Sequence, residues 1–487
     1  MNIKRAKNEI KNALRAYLAR DAFGAYPILL MGPPGIGKTQ IMEQIAEETG
    51  VGLVSYTLTH HTRQSALGLP FIETVQLGGA ERTVTAYTMS EIIASVYREM
   101  ERTGTKEGIL FLDEINCISE TLTPMMLQFL QCKTFGNQRL PDGWMVVAAG
   151  NPPEYNKSVR EFDVVTLDRV KRIDVEEDFA VWKEYAYRRG IHGAILSYLE
   201  IRRDHFYRVE ATADGLQFVT ARGWEDLSEL MQVYETLDLP VDRQVVGQYL
   251  QLPRVAADFA NYLQLYEKYK RVYRVEEILD GAWEKVRASE LAGAAFDEKL
   301  GVLGLLLARL ADSAREAYRL DRLTDALHQD LVHIREGEKM LGTLLDEKQA
   351  ALTRRRDAGS TDKDALFTAA REAERLAAFQ QALALEKVPK GQAFERLKAL
   401  FQEDVQARAD AADRTDRQLA NVFAFLDAAI PNSQELVLFA TELTANYFTS
   451  WFIQNFGCEA YFAHNKQLLF DDTRQRLLRE IGSAEPD

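Results

Sequence analysis

The sequence has few cysteines and no grouping of metal-binding residues. Its 487 residues include Cys117, Cys132 and Cys458, which are far apart and odd in number. No CxxC, HExxH or Cys/His cluster occurs, so a disulfide framework or a structural zinc site has no residues to build on. His60 and His61 are adjacent, and adjacent side chains on a strand point to opposite faces, which argues against a shared metal ion.

Long apolar runs and an excess of basic residues are also missing. The start, MNIKRAKNEIKNALRAYLARD, carries charges throughout and lacks the apolar region of a signal peptide. Glu442, Asn446 and Gln454 interrupt the most apolar stretch, Leu436–Phe456, so we predict a buried helix rather than a membrane span. Lys and Arg total 59 against 73 Asp and Glu, a net charge of −14, which argues against a general nucleic-acid coat. We therefore expect a soluble, cytoplasmic protein with no membrane partner.

Short apolar runs alternate with helical patterns in the first part of the chain. An amphipathic segment at Asn2–Arg20 leads into the first predicted strand. Strands are predicted at Pro27–Met31, Leu53–Thr57, Ile109–Leu112, Met145–Ala149 and Arg172–Val175. Helical patterns fall near Lys38–Glu48, Glu91–Arg102 and Glu120–Gln131. Apolar strands that alternate with helices are typical of a doubly wound sheet covered on both faces, so we predict a three-layer α/β core with a five-stranded parallel sheet.

Two hairpins interrupt this alternation, and helices follow it. Leu67–Met89 and Lys133–Trp144 contain the turn residues and alternating patterns of hairpins. Helical patterns dominate beyond about residue 177. From Val275 to Arg414 the composition predicts two long helices folded back on each other, with the break at Asp357–Asp364. Pro431–Ser433 opens a final helical segment. The expected domains are an α/β domain, a helical lid and a helical C-terminal domain, at 1–178, 179–272 and 273–487.

A glycine-rich segment points to a phosphate-binding loop. Gly32–Thr39 has the sequence GPPGIGKT, which matches GxxxxGK[ST] between a predicted strand and a helix. Such glycines aim several backbone N–H groups at one anion, and the helix N-terminus adds its positive dipole end. Lys38 is placed to reach the β- and γ-phosphates, and the Thr39 hydroxyl to bind Mg²⁺. The alternative is an accidental match in a Gly/Pro turn. The candidate nucleotide-binding residues are Gly32, Pro33, Pro34, Gly35, Ile36, Gly37, Lys38, Thr39 and Gln40.

Polar side chains follow two of the other predicted strands. The strand ILFL ends in Asp113, a candidate Mg²⁺ ligand, and Glu114, a candidate base for the attacking water. We expect this acidic strand beside the strand that precedes the loop. Asn151 follows the strand at Met145–Ala149, and its amide is suited to contact the γ-phosphate or the water. For Asp113 and Glu114 the alternative is a solvated turn after the strand. For Asn151 the alternative is a turn, since Asn–Pro pairs are common turn starters.

Three arginines are candidates for a role in phosphoryl transfer. Arg169 lies just before the last predicted strand and Arg172 begins it, and a cation here can stabilise charge on the transferring group. Arg222, in TARGWEDLS, opens a predicted helix that can swing toward the nucleotide. The alternatives are a solvated surface position for the first two and, for Arg222, pairing with Glu225 or Asp226.

Together these segments resemble an AAA+ ATPase. Strand–GPPGIGKT–helix, ILFLDE, AAGNPP, LDR and TARGW occur in the order and approximate spacing of that family. An insertion with GLP, near 60–90, looks like the helix-2 insert of the MoxR branch, and 131–144 looks like its pre-sensor-1 hairpin. His60–Arg63 stands where that insert usually starts with an acidic pair. The resemblance implies Walker A at Gly32–Thr39, Walker B at Asp113 and Glu114, sensor 1 at Asn151, an arginine finger at Arg169 and sensor 2 at Arg222.

The resemblance also implies partners. Family members form rings, usually hexamers, with ATP and Mg²⁺ bound between subunits, and MoxR-like proteins are often chaperone-like partners of von Willebrand factor A domain proteins. An ATP-driven remodelling motor is therefore the expected function. The alternatives are a weakly hydrolysing, nucleotide-regulated scaffold and a nucleic-acid-dependent motor. The net charge of −14 and the absence of a basic, aromatic-rich stripe argue against the last of these.

Overall fold

The computed structural model describes residues 1–19, 26–60, 68–135, 138–155, 159, 162–212, 215–337, 339–357 and 362–465. The first elements are α1 (Ile3–Leu18), β1 (Ile28–Met31), α2 (Lys38–Thr49), β2 (Gly52–Thr57), β3 (Pro70–Leu77), β4 (Ala80–Tyr87), α3 (Glu91–Thr103), β5 (Gly108–Asp113), α4 (Thr123–Cys132), β6 (Thr134–Phe135), β7 (Gln138–Arg139), β8 (Trp144–Gly150), α5 (Val164–Leu167) and β9 (Lys171–Asp174). They are followed by α6 (Phe179–Arg189), α7 (Gly193–Ile201), β10 (Arg208–Thr212), β11 (Gly215–Val219), α8 (Ala221–Thr236), α9 (Arg243–Tyr249), α10 (Pro253–Tyr273), α11 (Val275–Leu279), α12 (Lys285–Gly293), α13 (Phe296–Arg335), α14 (Leu341–Asp357), α15 (Lys363–Leu385), α16 (Ala393–Ala429), α17 (Gln434–Ala445) and α18 (Tyr447–Phe456).

Five parallel strands form the central sheet in the order β2–β5–β8–β1–β9. All five predicted strands are present: β1, β5 and β8 are buried on both faces, whereas β2 is partly buried and β9 is mostly exposed. Leu112 of β5 packs with Phe129 on one face, and Phe111 packs with Leu14 of α1 on the other. The predicted fold class, an α/β core followed by helix-rich segments, is confirmed.

The position of β8 corrects one expectation about the sheet. Ala148 of β8 pairs with Leu112 of β5, and Ala149 pairs with Leu30 of β1, so β8 separates the acidic strand from the strand that precedes the loop. The prediction that these two strands are neighbours is therefore wrong. Apolar runs identify strands, but their spatial order depends on crossover connections that the runs do not specify.

The two predicted hairpins are present. β3 and β4 pair from Pro70↔Tyr87 to Leu77↔Ala80. β6 and β7 pair at Thr134↔Arg139 and Phe135↔Gln138. The parts of these predictions at 61–67 and 136–137, which include His61 and Leu67, lie outside the described residues. One further hairpin, formed by β10 and β11, lies outside the predictions.

The helices of the C-terminal part differ from the prediction. From Val275 the chain forms the short helices α11 and α12 and then the long helices α13 and α16, with α14 and α15 between these two, so the expectation of two helices is wrong. Gly337, with φ +74°, follows α13, and Pro389 follows α15, and both residue types end helices. The predicted break at 357–364 does fall between α14 and α15, although 358–361 lie outside the described residues.

The apolar stretch Leu436–Phe456 also forms two helices instead of one. Asn446 separates α17 from α18, and its side chain accepts hydrogen bonds from the backbone N–H groups of Phe448 and Thr449. This is the geometry of an N-cap, which starts a new helix. Ser433 caps α17 in the same way, as the predicted break at Pro431–Ser433 requires. None of the helices in the described ranges is long and apolar enough to cross a bilayer.

The chain forms two compact units. The sheet unit contains Met1–Trp182, Phe206–Asp226 and Tyr249–Leu252, and the helical unit contains Lys183–His205, Leu227–Gln248 and Pro253–Asp487 within the described ranges. This grouping follows from packing alone, and the domain boundaries expected after residues 178 and 272 stay predictions. Across the described part of the chain, no group of three or more His, Cys, Asp and Glu side chains is placed to hold a metal ion.

Candidate nucleotide-binding site

The glycine-rich loop joins β1 to α2 with a backbone that requires glycine. Gly35 has φ +72° and Gly37 has φ +92°, in the left-handed region where a side chain is strained. A Cβ atom on Gly32 would lie 2.6 Å from the Val175 carbonyl oxygen, so this position has no room for a side chain. The Gly32 N–H donates to the Gly150 carbonyl at 3.3 Å. The loop is thus fixed against the ends of β8 and β9, with α2 beginning at Lys38.

Lys38 is buried at the centre of this loop. Its Nζ donates to the carbonyl oxygens of Gly32 and Pro33 and to Oδ1 of Asn151, each at 2.8 Å. Only 8% of the residue is exposed, and this burial lowers the pKa of its ammonium group to about 8. All three partners are neutral oxygens. A buried cation that lacks a directly bonded anion, beside a glycine loop at a helix N-terminus, fits the phosphates of a nucleotide.

Two carboxylates complete one side of the loop. Thr39 Oγ1 donates to Oδ2 of Asp113 at 3.1 Å, and the Glu114 N–H donates to Oδ1 of the same carboxylate at 2.9 Å. Both carboxylates are close enough to Lys38 to raise the pKa of its ammonium group and partly offset its burial. Hydroxyl and carboxylate oxygens are the ligands that Mg²⁺ prefers. The residues Thr39 and Asp113 therefore fit the Mg²⁺ ion that accompanies a nucleotide.

Glu114 has an uncommon backbone conformation. Its φ is +56°, in the left-handed region that residues with a Cβ atom rarely adopt. The chain turns here immediately after β5, and the Ile115 N–H donates to the Ala149 carbonyl at 2.9 Å. Strained backbone of this kind concentrates at functional sites, and here it sets the direction of the glutamate side chain beside Asp113.

Asn151 is held by a residue that the motifs do not single out. Asn116 is 3% exposed, and its Nδ2 donates to the Asn151 carbonyl at 2.8 Å, while its Oδ1 accepts the Asn151 N–H at 3.3 Å. A Cβ atom on Gly150 would lie 2.6 Å from that Oδ1, so glycine is needed before Asn151. Asn116 fixes the backbone of Asn151 while the Asn151 side chain contacts Lys38. The sequence signal was a lone amide two residues after Glu114.

Comparison with known proteins agrees with this geometry. Residues 27–170 match the family described as AAA domain (dynein-related subfamily). The match supports an AAA+ ATPase. No curated protein matches the chain. The matched range contains the loop, Asp113, Glu114, Asn151 and Arg169, whereas Arg222 follows it.

The candidate arginines differ in their surroundings. Arg222 is exposed in the first turn of α8 and lies close enough to Lys38 to lower the pKa of that ammonium group. Arg169 is also exposed, and it donates a hydrogen bond to Oε1 of Gln131. Arg172 pairs with Asp174 at 2.8 Å. Arg222 thus lies near Lys38 of its own chain, and the roles of all three arginines stay predictions.

A segment beyond the matched range contacts the loop as well. The Tyr207 hydroxyl donates to the Pro34 carbonyl at 2.9 Å. Thr220 lies 3.3 Å from the position that a Cβ atom on Gly35 would occupy, and Gln40 Nε2 donates to Glu225 at 3.4 Å. Nothing in the local sequence around Tyr207 indicates this contact, because it joins residues 173 positions apart.

A cavity of about 420 Å³ lies within the helical unit. Charged side chains along its wall are paired with one another or with neighbours: His192 Nε2 lies 3.1 Å from Glu235, and Arg315 bonds both oxygens of Asp364 at 2.8 and 3.0 Å. Ligand sites are often the largest cavities of a protein, but charges that already satisfy each other do not specify a ligand. The glycine-rich loop, whose Lys38 has no directly bonded anion, is the better candidate.

Proposed function

We propose that this protein is a MoxR-like AAA+ ATPase that couples hydrolysis of Mg-ATP in an oligomeric, usually hexameric, ring to remodelling or activation of a protein partner. The family match over residues 27–170 supports ATPase activity in general. The hairpin β3–β4, inserted between β2 and α3, supports the MoxR branch, because the helix-2 insert that the sequence resembles occupies this place. The resemblance supports a partner with a von Willebrand factor A domain.

One observation carries the hydrolase proposal: Lys38, Asn151 and the Asp113–Glu114 pair meet at the carboxyl ends of three neighbouring strands. On binding ATP, Lys38 exchanges its contacts with the loop carbonyls for phosphate oxygens. Thr39 and Asp113 hold Mg²⁺, which when bound neutralises charge on the phosphates. Asn151, fixed by Asn116, stays directed at the γ-phosphate.

Glu114 has the part of the base in this proposal. It follows Asp113 directly, and its carboxylate accepts a proton from the water that attacks the γ-phosphate. Arg169 is exposed, and in the proposed ring it stabilises the transferring phosphoryl group of a neighbouring subunit. Loss of the γ-phosphate then removes contacts at Lys38 and Asn151, which allows the loop region to change conformation and act on the partner.

The variant Glu114→Gln tests the hydrolytic role. It keeps the shape of the side chain but removes the base, so we expect ATP turnover to fall at least about 100-fold while ATP affinity stays within about threefold. Turnover is measured by phosphate release with Mg²⁺ at saturating ATP, and affinity by equilibrium binding. Glu107→Gln, an exposed carboxylate just before the other end of β5, is the matched control and should leave turnover unchanged.

Two outcomes would contradict the proposal. Turnover by Glu114→Gln equal to that of the unaltered protein would remove the assigned base. Turnover by the unaltered protein as slow as that of Glu114→Gln would favour the nucleotide-regulated scaffold. The partner is tested separately, by capture on ATP-bound Glu114→Gln. A captured set in which no protein has a von Willebrand factor A domain would refute the proposed partner.

A further inference from the structure

We propose that Tyr207 is a positioning residue for the phosphate-binding loop: its hydroxyl holds the Pro34–Gly35 peptide so that the Gly35 N–H faces the bound phosphates. The inference deepens the proposed ATPase function and rests on it. Tyr207 lies outside the matched AAA range and outside every motif of the sequence.

The peptide that Tyr207 contacts adjoins a glycine, so it can rotate more freely than one between residues with side chains. Gly35 has φ +72°, and glycine adopts positive and negative φ with similar ease, so the Pro34–Gly35 plane is weakly fixed by its own sequence. Tyr207 donates to the Pro34 carbonyl oxygen at 2.9 Å. In a trans peptide the C=O and N–H bonds point in opposite directions. Because Tyr207 anchors the Pro34 oxygen, the Gly35 N–H points away from Tyr207 within the same peptide plane.

Tyr207 itself rests on a rigid base within the sheet unit. The preceding residue, Phe206, is 4% exposed, and its ring lies 5.0 Å from that of Trp182 and 5.5 Å from that of Phe179. The Trp224 indole N–H donates to the Phe206 carbonyl at 3.2 Å. This packing fixes the backbone immediately before Tyr207. Burial also raises the pKa of the Tyr207 hydroxyl, so the group keeps the proton that it donates.

A loop that is already in the binding orientation reduces the free-energy cost of ordering on binding, because no peptide has to rotate when phosphates bind. The contact is expected to persist when nucleotide is bound. Tyr207 should consequently affect ATP binding and the KM for ATP more than kcat, because a loop held in one orientation favours the ground state and the transition state alike.

The test compares Tyr207→Phe, which removes only the hydroxyl, with Tyr249→Phe. Tyr249 is also half-buried in the sheet unit, and its hydroxyl makes no polar contact with other described residues. We measure ADP affinity by calorimetry, the KM and kcat of ATP hydrolysis, and the unliganded melting temperature of the full chain. For Tyr207→Phe we expect Kd and KM to rise about fivefold, kcat to stay within twofold, and the melting temperature to change by less than about 3 °C. Tyr249→Phe should match the unaltered protein in all four.

The outcomes separate this inference from the ATPase proposal. If the unaltered chain neither binds ADP nor hydrolyses ATP, the proposed function fails. If it does both and Tyr207→Phe binds ADP within twofold of it, the positioning role is refuted. The positioning role would also be refuted if Tyr207→Phe and Tyr249→Phe weakened ADP binding equally. A fall in the melting temperature of Tyr207→Phe large enough to explain its weaker ADP binding by loss of folded protein would refute it as well. The double variant Gly35→Ala/Tyr207→Phe adds a check: the Tyr207 effect should be smaller when the loop peptide is already displaced.

Discussion

Lys38 is charged in a place where only neutral oxygens bond it. Its ammonium group donates to two loop carbonyls and the Asn151 amide, and its burial lowers the pKa to about 8, partly offset by Asp113 and Glu114. A phosphate in contact with Lys38 would favour the protonated form and raise that pKa. Nucleotide binding and protonation of Lys38 are therefore thermodynamically linked.

We expect nucleotide affinity to fall as the pH rises above 8. Unliganded Lys38 loses its proton there, so ADP must bind together with a proton, and Kd rises by up to about tenfold per pH unit until the pKa of the complex is reached. Calorimetry in two buffers of different ionisation enthalpy, at about pH 7 and about pH 9, measures both Kd and proton uptake.

The same shift affects the unliganded fold with the opposite sign. The pKa of Lys38 is lower folded than unfolded, so its contribution to the stability of the fold grows as the pH rises from 8 toward 10.5. Lys38→Met removes the titrating group and should show neither effect. Identical Kd values at both pH values, with no proton uptake by the unaltered protein, would contradict the assignment of the low pKa to Lys38.

The residues of the site fall into two groups: those that belong to a local sequence motif, and those whose roles depend on contacts with residues far away in the sequence. Lys38, Asp113 and their neighbours belong to a fixed local pattern, which explains why spacing in the sequence points to them. Asn116 and Tyr207 act through partners 35 and 173 positions away, and a lone Asn or Tyr carries no such information. Long-range positioning residues of this kind become visible only when the sheet order and the packing of the β10–β11 region are known.

At the scale of elements, the sequence predicts buried apolar strands better than half-exposed strands or the ends of helices. The sheet strands are found within one residue of their predicted bounds because their apolar residues pack into the core, on both faces in β1, β5 and β8. The β10–β11 hairpin mixes polar and apolar residues on half-exposed strands and has no such signal. The helix ends at Gly337 and Asn446 depend on a single residue each, whose effect the surrounding helical composition masked.

One buried charge cluster ties three of these helices together. Lys348 of α14 lies 3.0 Å from Asp330 of α13 and 2.6 Å from Glu372 of α15. Asp330 is 2% exposed, and its Oδ2 has no hydrogen-bond partner among the described residues. Burial also raises the pKa of Glu372. Two carboxylates thus depend on one ammonium group.

We expect Lys348→Met to destabilise α14 and α15 by about 3 kcal/mol, because it leaves two buried carboxylates without a cation. The matched control is Lys363→Met, which breaks an ion pair with Glu229 at the same 3.0 Å distance but with both side chains about half exposed. That change should cost less than about 1 kcal/mol. Hydrogen exchange of peptides from 341–357 and 363–385 measures the local opening free energy. Equal effects of the two variants would show that burial of the cluster is not what stabilises these helices.

At the scale of the whole molecule, the question is which copy of the chain each arginine serves. Arg169 makes no hydrogen bond or ion pair with the glycine-rich loop among the described residues of its own chain. Arg222 already acts electrostatically on Lys38, while Arg169 is exposed and donates to Gln131. An exposed guanidinium beside the end of the sheet is suited to reach a second copy. Composition, strand patterns and motifs predict the fold class, but the sequence does not show whether a residue acts in its own subunit or in the next.

Mixing two inactive variants tests the ring and the arginine together. Arg169→Ala keeps Glu114, and Glu114→Gln keeps Arg169, so we expect each alone to hydrolyse ATP at least about 100-fold more slowly than the unaltered protein. If Arg169 acts on a neighbouring subunit, randomly mixed rings contain some interfaces with both groups intact, and an equal mixture should recover about a quarter of the original turnover. Arg172→Ala, whose side chain pairs with Asp174, is the control and should stay active alone. A mixture no faster than the mean of its two components would place Arg169 in its own subunit or outside the reaction, and activity of Arg169→Ala with loss in Arg172→Ala would exchange the two roles.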